Sequence, residues 1–120
     1  MKLPADQLTE ILDLHKKWLN NSDTGKRAIL SGADLSGADL SGANLSWADL
    51  SEAILSDANL SGAILSGAKL YRADLSGASL IKADLYRANL YQADLSGADL
   101  SGVDLSEANL KGADLSGAKR

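Results

Sequence analysis

The feature that most constrains this chain is a leucine at every fifth position from Leu30 to Leu115, eighteen in succession without an exception. Around each leucine the commonest unit reads Ala-Asp-Leu-Ser-Gly, as in residues 33–37, with Asn in place of Asp in several units. A period of five matches neither the 3.6-residue repeat of a helix nor the two-residue repeat of a strand. The chain must therefore turn at regular intervals if all the leucines share one interior.

Two of the five positions in each unit, those of leucine and alanine, hardly vary, which indicates that they form the interior. The alanine position varies only once, at Val103, whereas the positions of Asp, Ser and Gly accept many other residues. We therefore predict that Leu and Ala point inward and that the other three side chains point outward. Asp and Asn at bends commonly bond to the local backbone, and we favour that role over a functional acidic strip for one recurrent set: Asp34, Asp74, Asp94 and Asp114.

This pattern resembles the pentapeptide repeat family, over about three quarters of the chain. The resemblance implies an all-β solenoid: a right-handed quadrilateral, or four-sided, parallel β-helix in which four units make one coil of twenty residues. Family members often carry Phe at the central position, whereas this chain has no Phe. We expect a repeat domain over 28–120 with about 4.5 coils, preceded by a capping helix and turn over 1–27.

The N-terminal segment from Met1 to Asn20 predicts a helix with one apolar stripe. We expect it to cover the open end of the first coil as an α-helical cap, with Ile29 tucked beneath it. An amphipathic helix for a partner or a membrane surface is the alternative. The expected cap-packing residues are Leu8, Ile11, Leu12, His15, Trp18 and Leu19.

The stretch from 69 to 92 departs most often from the consensus. Long side chains replace the small outward residues there, and Tyr and Arg are enriched at binding hot spots. We interpret these residues either as an interaction belt around the third coil or as a surface layer that covers the bends. The candidates are Lys69, Tyr71, Arg72, Ile81, Lys82, Tyr86, Arg87 and Tyr91.

The last units contain Leu110 and Leu115 and show no capping pattern after them. An uncovered apolar end favours association, and the family resemblance implies two-fold pairing of such ends. We therefore expect a homodimer through this end.

Composition excludes several kinds of chemistry. The chain has no cysteine, a single histidine and a formal net charge of −4, so neither a disulfide framework nor a thiolate metal site is available. No nucleophile and base pair, metal cluster or phosphate-binding glycine motif is present, and we expect no enzyme activity and no cofactor. We expect no membrane segment, no direct nucleic-acid binding and a cytoplasmic location.

Two functions fit these expectations. The first is a structural or protein-interaction rod whose partner is unknown. The second follows from the resemblance: some pentapeptide repeat proteins bind a type II topoisomerase, DNA gyrase, by presenting an acidic rod shaped like duplex DNA. The expected rod is short, its charge is modest, and no unit is interrupted by a projecting loop.

Overall fold

The computed structural model describes all 120 residues as one helix followed by a continuous stack of coils. Helix α1 spans Ala5–Leu19. From Ile29 to Lys119, β-structure is limited to isolated parallel bridges of one residue each, and fifteen of them join residues twenty positions apart. Four units therefore complete one coil. No longer strand forms because a turn interrupts the chain in every unit.

The bridges define four columns of stacked residues, which we call faces 1 to 4 in chain order. Face 1 contains Ile29, Asp49, Lys69, Asn89 and Asn109. Face 2 contains Asp34, Ile54, Asp74, Asp94 and Asp114. Face 3 contains Asp39, Asn59, Ser79, Asp99 and Lys119. Face 4 contains Asn44, Ile64, Asp84 and Asp104. The turn that leads from one face to the next is named by both, so that corner 4/1 joins faces 4 and 1.

Each corner is a tight turn that begins at the leucine. At corner 4/1 the N–H of Ala48 donates to the carbonyl of Leu45 at 3.0 Å. The third residue of the turn has a φ between +56° and +74° at all eighteen corners, which is the geometry of a type II turn. Glycine adopts it without steric cost, yet eight corners carry another residue there: Trp47, Glu52, Asp57, Arg72, Lys82, Arg87, Gln92 and Glu107.

Leucine and alanine fill the interior, as predicted from their spacing. The leucines from Leu30 to Leu100 are at most 3% exposed, and the alanines from Ala48 to Ala98 are at most 1% exposed. Adjacent coils are joined by backbone hydrogen bonds in both directions. The N–H of Leu50 donates to Lys69 O at 2.7 Å, and the N–H of Lys69 donates to Ala48 O at 2.9 Å.

The N-terminal segment begins differently from the prediction. Residues before Pro4 are extended, and Pro4 precedes α1 as its N-cap with ψ 146°. Lys2 forms a parallel bridge with Asp34, and the N–H of Leu3 donates to Asp34 O at 2.9 Å. Leu3 thus makes the hydrogen bond that a leucine of a preceding coil would make on face 2.

Helix α1 packs on the N-terminal end of the coils. Leu8 and His15 are buried, and Ile11 and Leu12 pack partly buried against the core. Ile29 is 56% exposed, so the expectation that it lies beneath the helix is wrong. Helix α1 is neither long enough nor apolar enough to cross a membrane.

Candidate interaction surface

The large outward side chains collect on one half of the perimeter, formed by faces 4 and 1 with the corners that border them. Seven large apolar residues are exposed, and five of them lie in this half. These five are Ile29, Trp47, Ile64, Ile81 and Tyr86. The remaining aromatic residues of the coils, Tyr71 and Tyr91, lie at corner 1/2 in the same half. We call this half the aromatic surface.

Corner 4/1 forms the centre of the aromatic surface. Its third turn position is occupied in successive coils by Trp47, Gly67, Arg87 and Glu107. Trp47 is 53% exposed and has a φ of +66°, a conformation that costs a non-glycine residue about 1–2 kcal/mol. The same strain recurs at the seven other corners that lack glycine, because the turn enforces it.

Two tyrosine–arginine pairs border face 1. The guanidinium of Arg72 lies 5.9 Å from the ring centre of Tyr71 at corner 1/2, and that of Arg87 lies 5.3 Å from the ring centre of Tyr86 at corner 4/1. Both distances are within the range of cation–π attraction. Face 1 lies between these corners: Tyr71 and Arg72 follow Lys69 in one coil, and Tyr86 and Arg87 precede Asn89 in the next coil.

The two arginines differ in their other partners. Arg87 forms the only ion pair of the structure, with Glu107 at 3.4 Å, and Tyr86 donates to the same carboxylate at 3.0 Å. Arg72 donates from Nε to the neutral amide oxygen of Gln92 at 2.9 Å and has no carboxylate partner. Hydrogen bonding of Tyr86 to Glu107 raises the pKa of the tyrosine hydroxyl.

The predicted residues do not encircle the rod as a belt. Lys69, Tyr71, Arg72 and Tyr91 lie on face 1 and corner 1/2, while Tyr86 and Arg87 lie at corner 4/1. Ile81 and Lys82 lie at corner 3/4, on the far side of face 4. All eight therefore lie in the aromatic half. None lies on face 2, on face 3 or at corner 2/3 between them.

Trp47 and Ile64 are not among the predicted residues, although they extend the aromatic surface toward the N-terminus. The signal that identifies them is the twenty-residue register. It places Trp47 on the same corner as Arg87, and Ile64 on the face between Ile81 and Tyr86. Both residues also replace the consensus residue of their unit.

The opposite half, with faces 2 and 3 and corner 2/3, is acidic. It carries one lysine of the coils, Lys119, and seven carboxylates: Asp34, Asp39, Asp57, Asp74, Asp94, Asp99 and Asp114. The predicted stack on face 2 is present, except that Ile54 interrupts it.

The Asp and Asn side chains of the faces bond to the following turn, as predicted. In all thirteen such residues the Oδ1 atom accepts the N–H two residues later. Asp99 is representative: its Oδ1 accepts the hydroxyl of Ser101 at 2.6 Å and the N–H of Ser101 at 3.0 Å. These two bonds lower the pKa of Asp99. One oxygen of each carboxylate is therefore committed to holding the turn.

His15 joins α1 to the first coil through both ring nitrogens. Nδ1 accepts the N–H of Ala28 at 2.9 Å, and Nε2 lies 2.9 Å from Ser46 O. Since Nδ1 is an acceptor, Nε2 carries the proton and donates it, which is the neutral form. Burial lowers the pKa of His15. Trp18 stacks on the same ring at 5.5 Å, and Leu19 is partly exposed beside it in sequence.

The C-terminal coil leaves the core open. Leu105, Leu110 and Leu115 are only partly buried, in contrast to the leucines of the central coils. The N–H groups of Leu110 and Leu115 have no backbone partner. This end therefore presents both apolar surface and free donors.

Comparison with known proteins identifies the same repeat throughout the coils. The family model described as pentapeptide repeats matches eight copies over residues 26–57, 53–92 and 83–119. A search of curated proteins gives no match.

Solved structures with the same repeat resemble this chain closely. Rfr23 of the cyanobacterium Cyanothece 51142 gives a TM-score of 0.74 at 46% identity, over 77% of this chain and 63% of Rfr23. HetL of Nostoc sp. strain PCC 7120, described as involved in heterocyst differentiation regulation, gives 0.65 at 48%, over 78% of this chain and 47% of HetL. The protein alr5209 of Nostoc PCC 7120 gives 0.59 at 38%, over 84% and 71%. The chain thus spans less than two thirds of the first two proteins.

Proposed function

Because this chain belongs to the pentapeptide repeat family, we propose that it is a non-enzymatic structural and protein-interaction rod that binds a protein partner through the aromatic surface. One observation carries the proposal: five of the seven exposed large apolar residues lie on two adjacent faces of a four-sided rod and the corners that border them. A layer that only covered the bends would have no reason to avoid the other two faces.

The composition of this surface fits the proposal. Trp, Tyr and Arg supply most hot spots of protein interfaces because they combine apolar area with directed hydrogen bonds. Trp47, Tyr86 and Arg87 share corner 4/1, where they would form the centre of a contact that extends to faces 4 and 1. The polar rim would come from Lys69 and Arg72.

A photo-crosslinking amino acid tests the proposal when it is placed on opposite faces. Asn89 on face 1 and Asn59 on face 3 are both exposed and both bond to the following turn, so they form a matched pair. We expect a crosslinked protein in extracts of the source cells only from position 89. The adduct should disappear with Trp47→Ala combined with Tyr86→Ala and persist with Ile54→Ala on face 2. Equal crosslinking from both positions would sink the proposal.

The N-terminal residues 1–27 serve, in our proposal, as the cap of this rod, and its coils wind to the right as the family resemblance implies. The buried Leu8 and His15 support the cap. Deletion of residues 1–27 should lower the melting temperature and promote aggregation, because it uncovers the first coil. An unchanged melting temperature and a monodisperse product would contradict the cap. A crystal structure with coils that wind to the left would contradict the handedness.

The open C-terminal coil supports a homodimer through that end. The partly exposed Leu110 and Leu115, together with the unpaired N–H groups, are the surface that a second copy would cover. Sedimentation equilibrium of the 120-residue chain should give a dimer, and Leu110→Lys with Leu115→Lys should give a folded monomer. A monomeric parent chain would refute the pairing.

The acidic half supports a second candidate function, mimicry of DNA toward a type II topoisomerase such as gyrase. Asp74, Asp94 and Asp114 stack in consecutive coils on face 2, and each keeps one carboxylate oxygen free of the turn. A gyrase supercoiling assay at graded protein concentration tests this candidate. Unaltered supercoiling at a large molar excess of the protein would eliminate it.

A further inference from the structure

We propose that face 1, with corners 4/1 and 1/2, binds an acidic segment of the protein partner, in which carboxylates meet Arg72, Lys69 and Arg87 and an apolar side chain meets Trp47. This inference rests on the proposed function and specifies the chemistry of its partner. We call face 1 together with corners 4/1 and 1/2 the arginine face.

Charge is distributed unevenly enough to select such a partner. The whole chain has a formal net charge of −4, but the coils of the arginine face carry four cations against three carboxylates. The cations are Lys69, Arg72, Arg87 and Lys111. Lys26 and Arg27 lead into its N-terminal end. The most basic part of the rod therefore coincides with its most aromatic part.

The carboxylates of the arginine face are already engaged with the protein itself. Asp49 accepts the N–H of Ser51 at 3.0 Å, and the nearby charge of Lys69 also favours its ionised form. Glu107 is paired with Arg87 and accepts the hydroxyl of Tyr86. Glu52 is the one carboxylate without such a partner. Internal pairing consequently leaves Lys69, Arg72 and Lys111 without a carboxylate at ion-pair distance.

Arg72 is held ready for a carboxylate. Its stacking on Tyr71 and its bond from Nε to Gln92 fix the plane of the guanidinium. The terminal N–H groups stay available, and a planar guanidinium binds a carboxylate through two parallel bonds. Because these two contacts already restrict the side chain, less rotational entropy is lost on binding than for an unrestrained arginine.

A polynucleotide fits this surface less well than an acidic protein segment. A phosphate backbone would pass close to Asp49, Glu52 and Glu107, and the seven carboxylates of the opposite half would add to the repulsion. A protein segment can place its carboxylates at the arginines and an aliphatic side chain on the indole of Trp47.

Peptide titration of the isotope-labelled 120-residue protein tests the inference. The probes are a peptide of alternating Glu and Leu, its Gln and Leu counterpart, a Lys and Leu counterpart, and a single-stranded oligonucleotide. At low salt we expect the Glu peptide to bind about tenfold more tightly than the Gln peptide. The amide shifts should be confined to the arginine face.

Matched charge reversals locate the contact. Arg72→Glu should abolish the preference for the Glu peptide. Lys119→Glu is the control, since it makes the same change of charge on face 3, outside the aromatic surface. Thermal melts of both variants verify that the coils remain folded.

Three outcomes overturn the inference: equal binding of the Glu and Gln peptides, shifts on faces 2 and 3, or tighter binding of the oligonucleotide. If these occur while a partner still crosslinks from position 89, the proposed function stands and only the acidic chemistry of the partner is wrong. If crosslinking from position 89 also fails, the proposed function falls with it.

Discussion

The indole ring of Trp47 lies directly on Gly67, the residue one coil further along the same corner. A methyl group placed on Gly67 would approach Cζ3 of Trp47 to 2.4 Å, closer than any real contact. The side chain of Asp57 lies on the glycine of the next coil in the same way: a methyl group on Gly77 would lie 2.4 Å from Oδ1 of Asp57. The absence of a side chain at Gly67 therefore sets the position of the most exposed aromatic residue of the coils.

Gly67→Ala should destabilise the protein more than Gly62→Ala. Both glycines have a φ of +67°, but no atom lies within 4 Å of a methyl group at Gly62. The shared backbone strain should cost about 1–2 kcal/mol, and the clash with Trp47 should add about 1–3 kcal/mol. Urea unfolding of the two variants measures the difference.

The combined variant Trp47→Ala, Gly67→Ala is the control for this prediction, because it removes the ring that the methyl group meets. Its cost relative to Trp47→Ala alone should fall to that of Gly62→Ala. Equal free energies of unfolding for the two single glycine variants would show that Trp47 moves aside freely.

Acidification should loosen the contact between α1 and the coils through His15. A buried histidine with a lowered pKa binds fewer protons in the folded state than in the unfolded state. Its contribution to stability is therefore complete above the ordinary pKa of about 6.5, and it declines as the pH falls from that value toward the lowered one. Protonation at Nδ1 would also break the bond from Ala28.

Hydrogen exchange of the α1 amides across this pH range measures the effect, with protection expected to decrease toward low pH. His15→Phe should remove the pH dependence and leave Ala28 N–H and Ser46 O without partners, at a cost of about 1–3 kcal/mol for each. The same pH dependence in the Phe variant would assign it to other groups.

The turn aspartates should make the coils sensitive to stronger acid. The hydroxyl and N–H of the serine two residues later lower the pKa of several of them, among which are Asp39, Asp99, Asp104 and Asp114. A carboxylate with a lowered pKa contributes its stability above its ordinary value of 3.8, and loses it as the pH falls through the lowered value.

Replacement of these four aspartates by Asn should flatten that dependence, since Asn44 and Asn59 already form the same bonds to the turn. Urea midpoints at neutral and acidic pH compare the parent and the variant. An equally steep loss in the variant would mean that carboxylates outside these turns control acid unfolding.

Leu65→Asp should abolish folding. Leu65 is fully buried in a central coil, and a carboxylate there would have neither a partner nor solvent. Leu65→Ala should cost about 2–5 kcal/mol, and Leu110→Ala in the open end should cost less because its side chain is already partly exposed. Circular dichroism during thermal unfolding distinguishes the three, and a cooperative melt of Leu65→Asp near the parent temperature would refute the inward assignment.

The repeat determined much of this protein by itself. A strict period of five fixes which two side chains of each unit point inward, because the turn repeats with the same period and only one phase buries every leucine. The role of Asp and Asn in the turns was predictable for the same reason, since their bonds to Ser101 and its equivalents are local. The resemblance to a family supplied the twenty-residue coil, which the bridges from Asp49 to Lys69 and its equivalents confirm.

Only the tertiary structure decided how the exceptions to the repeat are arranged. The position of a side chain around the perimeter depends on how many units close a coil, and a period of five leaves that number open. Four units per coil bring Trp47, Gly67 and Arg87 to one corner, although they are far apart in sequence. The same closure places the large side chains of a stretch expected to encircle the rod on one half of the perimeter, and it leaves the other half acidic. The N-terminal start also depended on tertiary contact, because Lys2 and Leu3 extend along Asp34 and pair with the open edge of the first coil, whereas the sequence predicted that the helix would begin at Met1.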